Sequence, residues 1–77
     1  MNHMDKERIA IPLRVARLAA GLTQQQLAKL SGVNARQIQK VESGEIKPGN
    51  MTASNLMAIA DALGVDPRSL IQVEASA

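Results

Sequence analysis

Residues 23–44 read TQQQLAKLSGVNARQIQKVESG, and the order of caps, apolar positions and glycine in this stretch decides the architecture of the chain. Thr23 is a good helix N-cap, and Gln26 three residues later has the spacing of a capping box, in which two otherwise orphaned backbone donors are satisfied reciprocally. Leu22 before the cap and Leu27 after it form a hydrophobic staple. The pattern breaks in a tight Ser31-Gly32-Val33 turn, where glycine supplies the backbone freedom a corner needs. Asn34 opens a second segment in the same grammar, with Gln37 at the third helical position and Val33 and Ile38 as the staple. With side chains about 100° apart around a helix, Ile38 and Val41 point one way, whereas Arg36, Gln39, Lys40 and Ser43 point the other. The stretch therefore predicts two short helices, 24–31 and 35–42, joined by a corner.

The same punctuation recurs outward from this stretch. Pro12 suits the first turn of a helix, where its missing N–H is harmless, and that pattern runs to Ala20 and stops at Gly21. Thr52 caps a helix ending on Gly64, with Met51 and Leu56 as its staple. Asp66 caps another, with Pro67 at its first position and Val65 stapled onto Leu70. Five helices result, at about 12–20, 24–31, 35–42, 53–63 and 67–72. No segment alternates with period two, so the expected fold class is all-α. Ser43–Met51, with Gly44, Pro48, Gly49 and Asn50, reads as a surface loop. Residues 1–10 are expected to be a flexible extension, 11–72 the folded domain and 73–77 a tail.

Composition narrows the function. At 77 residues the chain makes one domain, and with 45% apolar residues it is able to bury a core. It has no aromatic residue, so the core is aliphatic and there is no platform on which single-stranded nucleic acid would stack. With no cysteine it has neither a disulfide framework nor a thiol nucleophile. No apolar run approaches the roughly 18 residues a membrane span needs. The N-terminus, MNHMDKER, lacks the apolar segment of a signal peptide, so a cytoplasmic location is expected. His3 stands alone, and Asp61, Asp66 and Glu74 form no acid pair. No nucleophile–base arrangement or phosphate-cradling loop is visible, so neither an enzyme nor a metal or cofactor site is expected. The formal net charge is only +2, so any nucleic-acid binding must come from a local basic face.

The segment 35–42 provides such a face. Arg reads guanine O6 and N7 with two parallel bonds, Gln or Asn reads adenine, and Lys serves guanine or phosphate. A polar face by itself is ordinary for an amphipathic helix. The preceding helix changes the reading: Ala28 is small enough for a close helix crossing, and Gln24 stands at a helix start where free N–H groups favour a phosphate. Two helices so joined form a helix-turn-helix, which lays its second helix into the major groove of duplex DNA.

From about Leu13 to Leu70 the chain resembles the Cro and phage-repressor (XRE-type) helix-turn-helix family, most strongly in GLTQQQLAKLSGV, IQKVESG and ADALGV. The resemblance implies a compact five-helix, lambda-repressor-like domain that regulates transcription, expected to be a repressor. Carried over by position, it implies base contacts from Asn34, Ala35, Arg36 and Lys40, with Gln37 as a neighbouring base or backbone contact. Gln39 is added by the helical wheel alone and ranks lower. It also implies phosphate contacts from Gln24 and the loop after the recognition helix, Ser43 to Lys47. Arg17 and Glu42 match the positions of a partly buried ion pair, from which Arg17 would also face a phosphate. Glu45 departs from the family pattern, being acidic where Lys or Arg is frequent. The loop after Pro48 is about three residues longer than usual.

The expected partner is double-stranded DNA. Helix 12–20 carries more apolar residues (Leu13, Ala16 and Ala20, and also Ile11, Val15 and Leu18) than one stripe needs, and Leu70, Ile71 and Val73 follow at the C-terminus. Part of this surplus closes a core without aromatics; the rest suggests a homodimer reading two half-sites. An antitoxin-like protein that binds a toxin partner and autoregulates its operon is the alternative.

Overall fold

The computed structural model describes residues 11–71; the expected extension 1–10 and tail 73–77, with His3, Val73 and Glu74, lie outside the described residues. Pro12 opens the first helix, α1 (Pro12–Ala19), and Ala20 closes it as the C-cap. The second, α2 (Gln24–Ser31), begins with a complete capping box: Gln26 N–H donates to Thr23 Oγ1 at 3.0 Å, and Thr23 N–H donates to Gln26 Oε1 at 2.9 Å. Gly32 ends α2 in the left-handed conformation, φ +76°, which side-chain-bearing residues rarely adopt. Asn34 caps α3 (Ala35–Glu42), and Thr52 caps α4 (Ala53–Leu63), Asn55 N–H donating to Thr52 Oγ1 at 3.1 Å.

Two short 3-10 turns complete the described elements, Pro48–Asn50 before α4 and Pro67–Leu70 after it. The fifth helix expected over 67–72 is therefore a correction. Arg68 N–H and Ser69 Oγ both bond back to Asp66, and Ile71 is already extended. The segment closes with i+3 bonds before an α-turn propagates. There is no strand among the described residues.

The staples enclose one aliphatic core. Leu13, Leu27, Val33, Ile38, Val41, Met51, Ile59, Ala60 and Leu70 are buried, and Ile11, Leu22, Ile46, Leu56 and Val65 pack against them. Helix α2 packs against α3 and α4, and α1 spans α3 and the second 3-10 turn. The apolar side of α3 is thus clamped from several directions, which fixes how its polar side faces outward. The apolar surplus divides: Leu13 and Leu70 enter the core, whereas Val15 and Leu18 remain about half exposed, at 52% and 53%.

Candidate nucleic-acid interface

Helix α3 owes its orientation to a three-helix brace. Arg17 on α1 donates from Nε to Glu42 Oε2 at 2.7 Å and from Nη2 to Glu42 Oε1 at 3.0 Å, a bidentate fork on the last residue of α3. Its Nη1 donates to the Leu22 carbonyl at 2.7 Å, pinning the corner between α1 and α2. Gln24, at the start of α2, donates from Nε2 to the same Glu42 carboxylate at 3.0 Å. Hydrogen bonding to Glu42 raises the Arg17 pKa above its ordinary value against the opposing effect of burial, so the guanidinium stays charged. Among the described residues no buried side-chain polar atom is left without a partner.

This arrangement changes what two of the expected phosphate-binding side chains can do. The Arg17 side chain is only 10% exposed and its guanidinium is committed on three sides, so it acts as a brace. Gln24 is half-buried and has one amide hydrogen engaged inward, leaving the other and the neighbouring backbone N–H groups at the helix start.

On the outer side, Arg36, Gln39 and Ser43 are exposed and Lys40 is half-exposed. Asn34 uses Oδ1 to accept the Arg36 N–H at 2.7 Å, which leaves its amide nitrogen as the outward group. Ala35, half-buried, presents only a methyl. Gln37 does not close a capping box with Asn34. Its Oε1 accepts from Asn55 Nδ2 on α4 at 2.8 Å, a link that cap grammar alone does not reveal. Asn55 is the side chain missed in the sequence. It sits three residues after the Thr52 cap, and nothing in the sequence marks it as a partner of α3.

The loop after α3 is ordered by one carbonyl. Lys40 O accepts from Glu45 N–H at 2.9 Å, Ile46 N–H at 3.1 Å and Ser43 Oγ at 3.0 Å. Gly44, at φ +86°, lets the chain turn back to make these bonds. Ile46 then packs on the core while Glu45 and Lys47 stay exposed. A shallow depression lined by Asn34, Arg36, Gln37, Lys40 and Ile46 runs between α3 and this loop. A broader one follows the outer side of the corner, between Gln25, Lys29, Gly32 and Ala35. Neither is lined by a nucleophile–base pair, and among the described residues no group of His, Asp or Glu could hold a metal ion. No described helix is long and apolar enough to cross a membrane.

The sequence profile of a helix-turn-helix family matches residues 13–70, three quarters of the chain. Among solved structures the chain is similar to the restriction-modification controller protein C.AhdI from Aeromonas hydrophila. The two are 36% identical with a TM-score of 0.70, and the match covers 83% of this chain and 92% of the other. No curated protein matches.

Proposed function

From the chain's membership of the XRE-type helix-turn-helix family, and hence its nature as a DNA-binding transcriptional regulator, we propose that it is a sequence-specific repressor that reads duplex DNA with α3 in the major groove. The single observation that carries this reading is the division of α3. Ile38 and Val41 are fully buried, Glu42 is locked to Arg17, and the opposite face offers Arg36, Gln39 and Lys40 without an apolar member.

In this reading Arg36 and Lys40 contact base edges through acceptors such as guanine O6 and N7, and the Ala35 methyl meets a thymine methyl. Asn34 and Gln37 add donors at the edges of the same surface. Gln24, with the free N–H groups beside it, and Ser43 and Lys47 hold phosphates, which fix register and carry no sequence information themselves. Arg17 contributes by bracing α3 rather than by touching DNA. One module with so few phosphate contacts binds weakly, so the protein acts as a homodimer on two half-sites about one helical turn apart. The likeness to a controller of a restriction-modification system supports genes of that kind as the regulated set. The antitoxin reading rests on the apolar surplus of α1 and the C-terminus, of which Val15 and Leu18 stay half exposed, and a dimer makes equal use of it.

Selection of bound duplexes from a random library tests the proposal. A palindromic consensus with half-sites about 10 bp apart supports it. Binding without sequence preference, or none that weakens with salt, overturns it.

A further inference from the structure

We propose that Asn55 is a positioning residue for base recognition: it holds the Gln37 amide so that this flank of α3 reads a hydrogen-bond acceptor on a base edge. The inference rests on the placement of α3 in the major groove and deepens it to the specificity of one contact.

Gln37 occupies the border of α3, about a quarter turn from the Arg36–Lys40 row on one side and from Ile38 and Val41 on the other. It lines the depression that Arg36 and Lys40 also line, so it borders the basic side of the helix. An unrestrained glutamine amide offers one acceptor and two donor hydrogens, and reads adenine with a pair of parallel bonds from Oε1 and Nε2. Here Oε1 accepts from Asn55 Nδ2 at 2.8 Å, which sets the amide's orientation, while Nε2 has no protein partner among the described residues. Turning the Gln37 amide over by itself would set nitrogen against the Asn55 nitrogen, donor against donor. The nearby Arg36 and Lys40 also favour an acceptor-bearing partner.

The backbone at Asn55 is fixed by the fold. Its N–H is held by the Thr52 cap, and Met51, buried beneath the start of α4, anchors that end after the Pro48–Asn50 turn. The start of α4 therefore brings a side chain to the recognition helix. With Nε2 presented alone, guanine (O6, N7) and thymine (O4) are accepted. Adenine, through N7, is accepted as well, and cytosine, whose groove edge presents the N4 donor, is rejected.

The test uses the full chain and its Asn55→Ala, Asn55→Asp, Gln37→Glu and Gln37→Ala variants, with folding followed by circular dichroism. Affinities are measured at fixed ionic strength for a duplex selected by the wild type and for all its single-base-pair changes. In Asn55→Ala, discrimination falls roughly three- to tenfold at one base pair per half-site, the size expected for one net hydrogen bond, and is unchanged elsewhere. Asn55→Asp can only accept, so it turns the Gln37 amide and makes cytosine, rejected by the wild type, acceptable at that same position. Gln37→Glu keeps the bond to Asn55 but offers no donor, and it loses the rejection of cytosine even if the Asn55 variants fold poorly. Adding Asn55→Ala to Gln37→Ala changes nothing further.

Unchanged base preference in the folded Asn55 and Gln37 variants overturns the proposal. Weakening of all sequences alike also overturns it, since that marks a phosphate contact. In both cases the groove placement of α3 stands. If the wild type selects no sequence, the placement of α3 fails with it.

Discussion

Replacing Arg17 with alanine removes the group around which three helices converge, and the loss can be sized from the contacts. Glu42, whose side chain is 4% exposed, keeps only the 3.0 Å bond from Gln24. The Leu22 carbonyl loses its side-chain donor. Breaking a buried ion pair by removing one partner costs about 3–5 kcal/mol, because the other charge is stranded. The whole stability of a domain this size is roughly 4–12 kcal/mol. At about 4–8 °C per kcal/mol, the melting temperature of Arg17→Ala falls by roughly 12–40 °C, enough to unfold much of the population at 37 °C. The double variant Arg17→Met with Glu42→Leu strands no charge and recovers most of that loss. The assay is thermal and urea unfolding by circular dichroism on the wild type, the two single variants and the double variant. A loss below about 1 kcal/mol in Arg17→Ala, typical of a solvated surface pair, refutes the brace. So does a double variant no more stable than the singles.

Three further outcomes follow from particular residues. Glu45 is exposed beside the loop assigned to phosphate binding, so Glu45→Lys tightens binding to all duplexes and steepens the salt dependence of log K by about one unit, measured by fluorescence anisotropy between low and moderate salt. At Gly32 an added Cβ meets nothing within 4 Å, so Gly32→Ala is destabilised only by the left-handed backbone, by about 1–2 kcal/mol in urea unfolding. Asp66 has its carboxylate held below the usual range, first by the Arg68 N–H and then by the Arg68 side chain, so its support of the Pro67–Leu70 turn is complete above the ordinary aspartate pKa. That support disappears as pH falls through the lower folded value; amide exchange of residues 68–71 speeds up in that window in the wild type, and Asp66→Asn removes the pH dependence.

The fold was legible wherever a helix boundary is a local matter. Thr23, Asn34, Thr52 and Asp66 all accept the backbone N–H groups that cap grammar assigns to them, and the staple residues Leu27, Val33, Ile38, Met51 and Leu70 are buried. The exception is Pro67–Leu70, whose proline and cap announce a helix start but cannot supply its length. Polar side chains were less legible, because their partners are chosen by tertiary geometry. Gln37 has the sequence position of a capping-box residue and instead bonds Asn55, eighteen residues away. Gln24 reads as a free donor at a helix start, and the carboxylate of Glu42 takes half of it. No periodicity encodes either link; each depends on how α1, α2 and α4 cross α3.

The most direct test of the account is the ratio of affinities for a selected site and an unrelated duplex, measured in the wild type and in Arg36→Ala at one salt concentration. Arg36 is exposed and makes no side-chain bond among the described residues, so its loss leaves the fold intact. The account predicts that the ratio falls by about 1–3 kcal/mol, with preference relaxed at one base pair per half-site. An Arg36→Ala protein that keeps the wild-type ratio contradicts it.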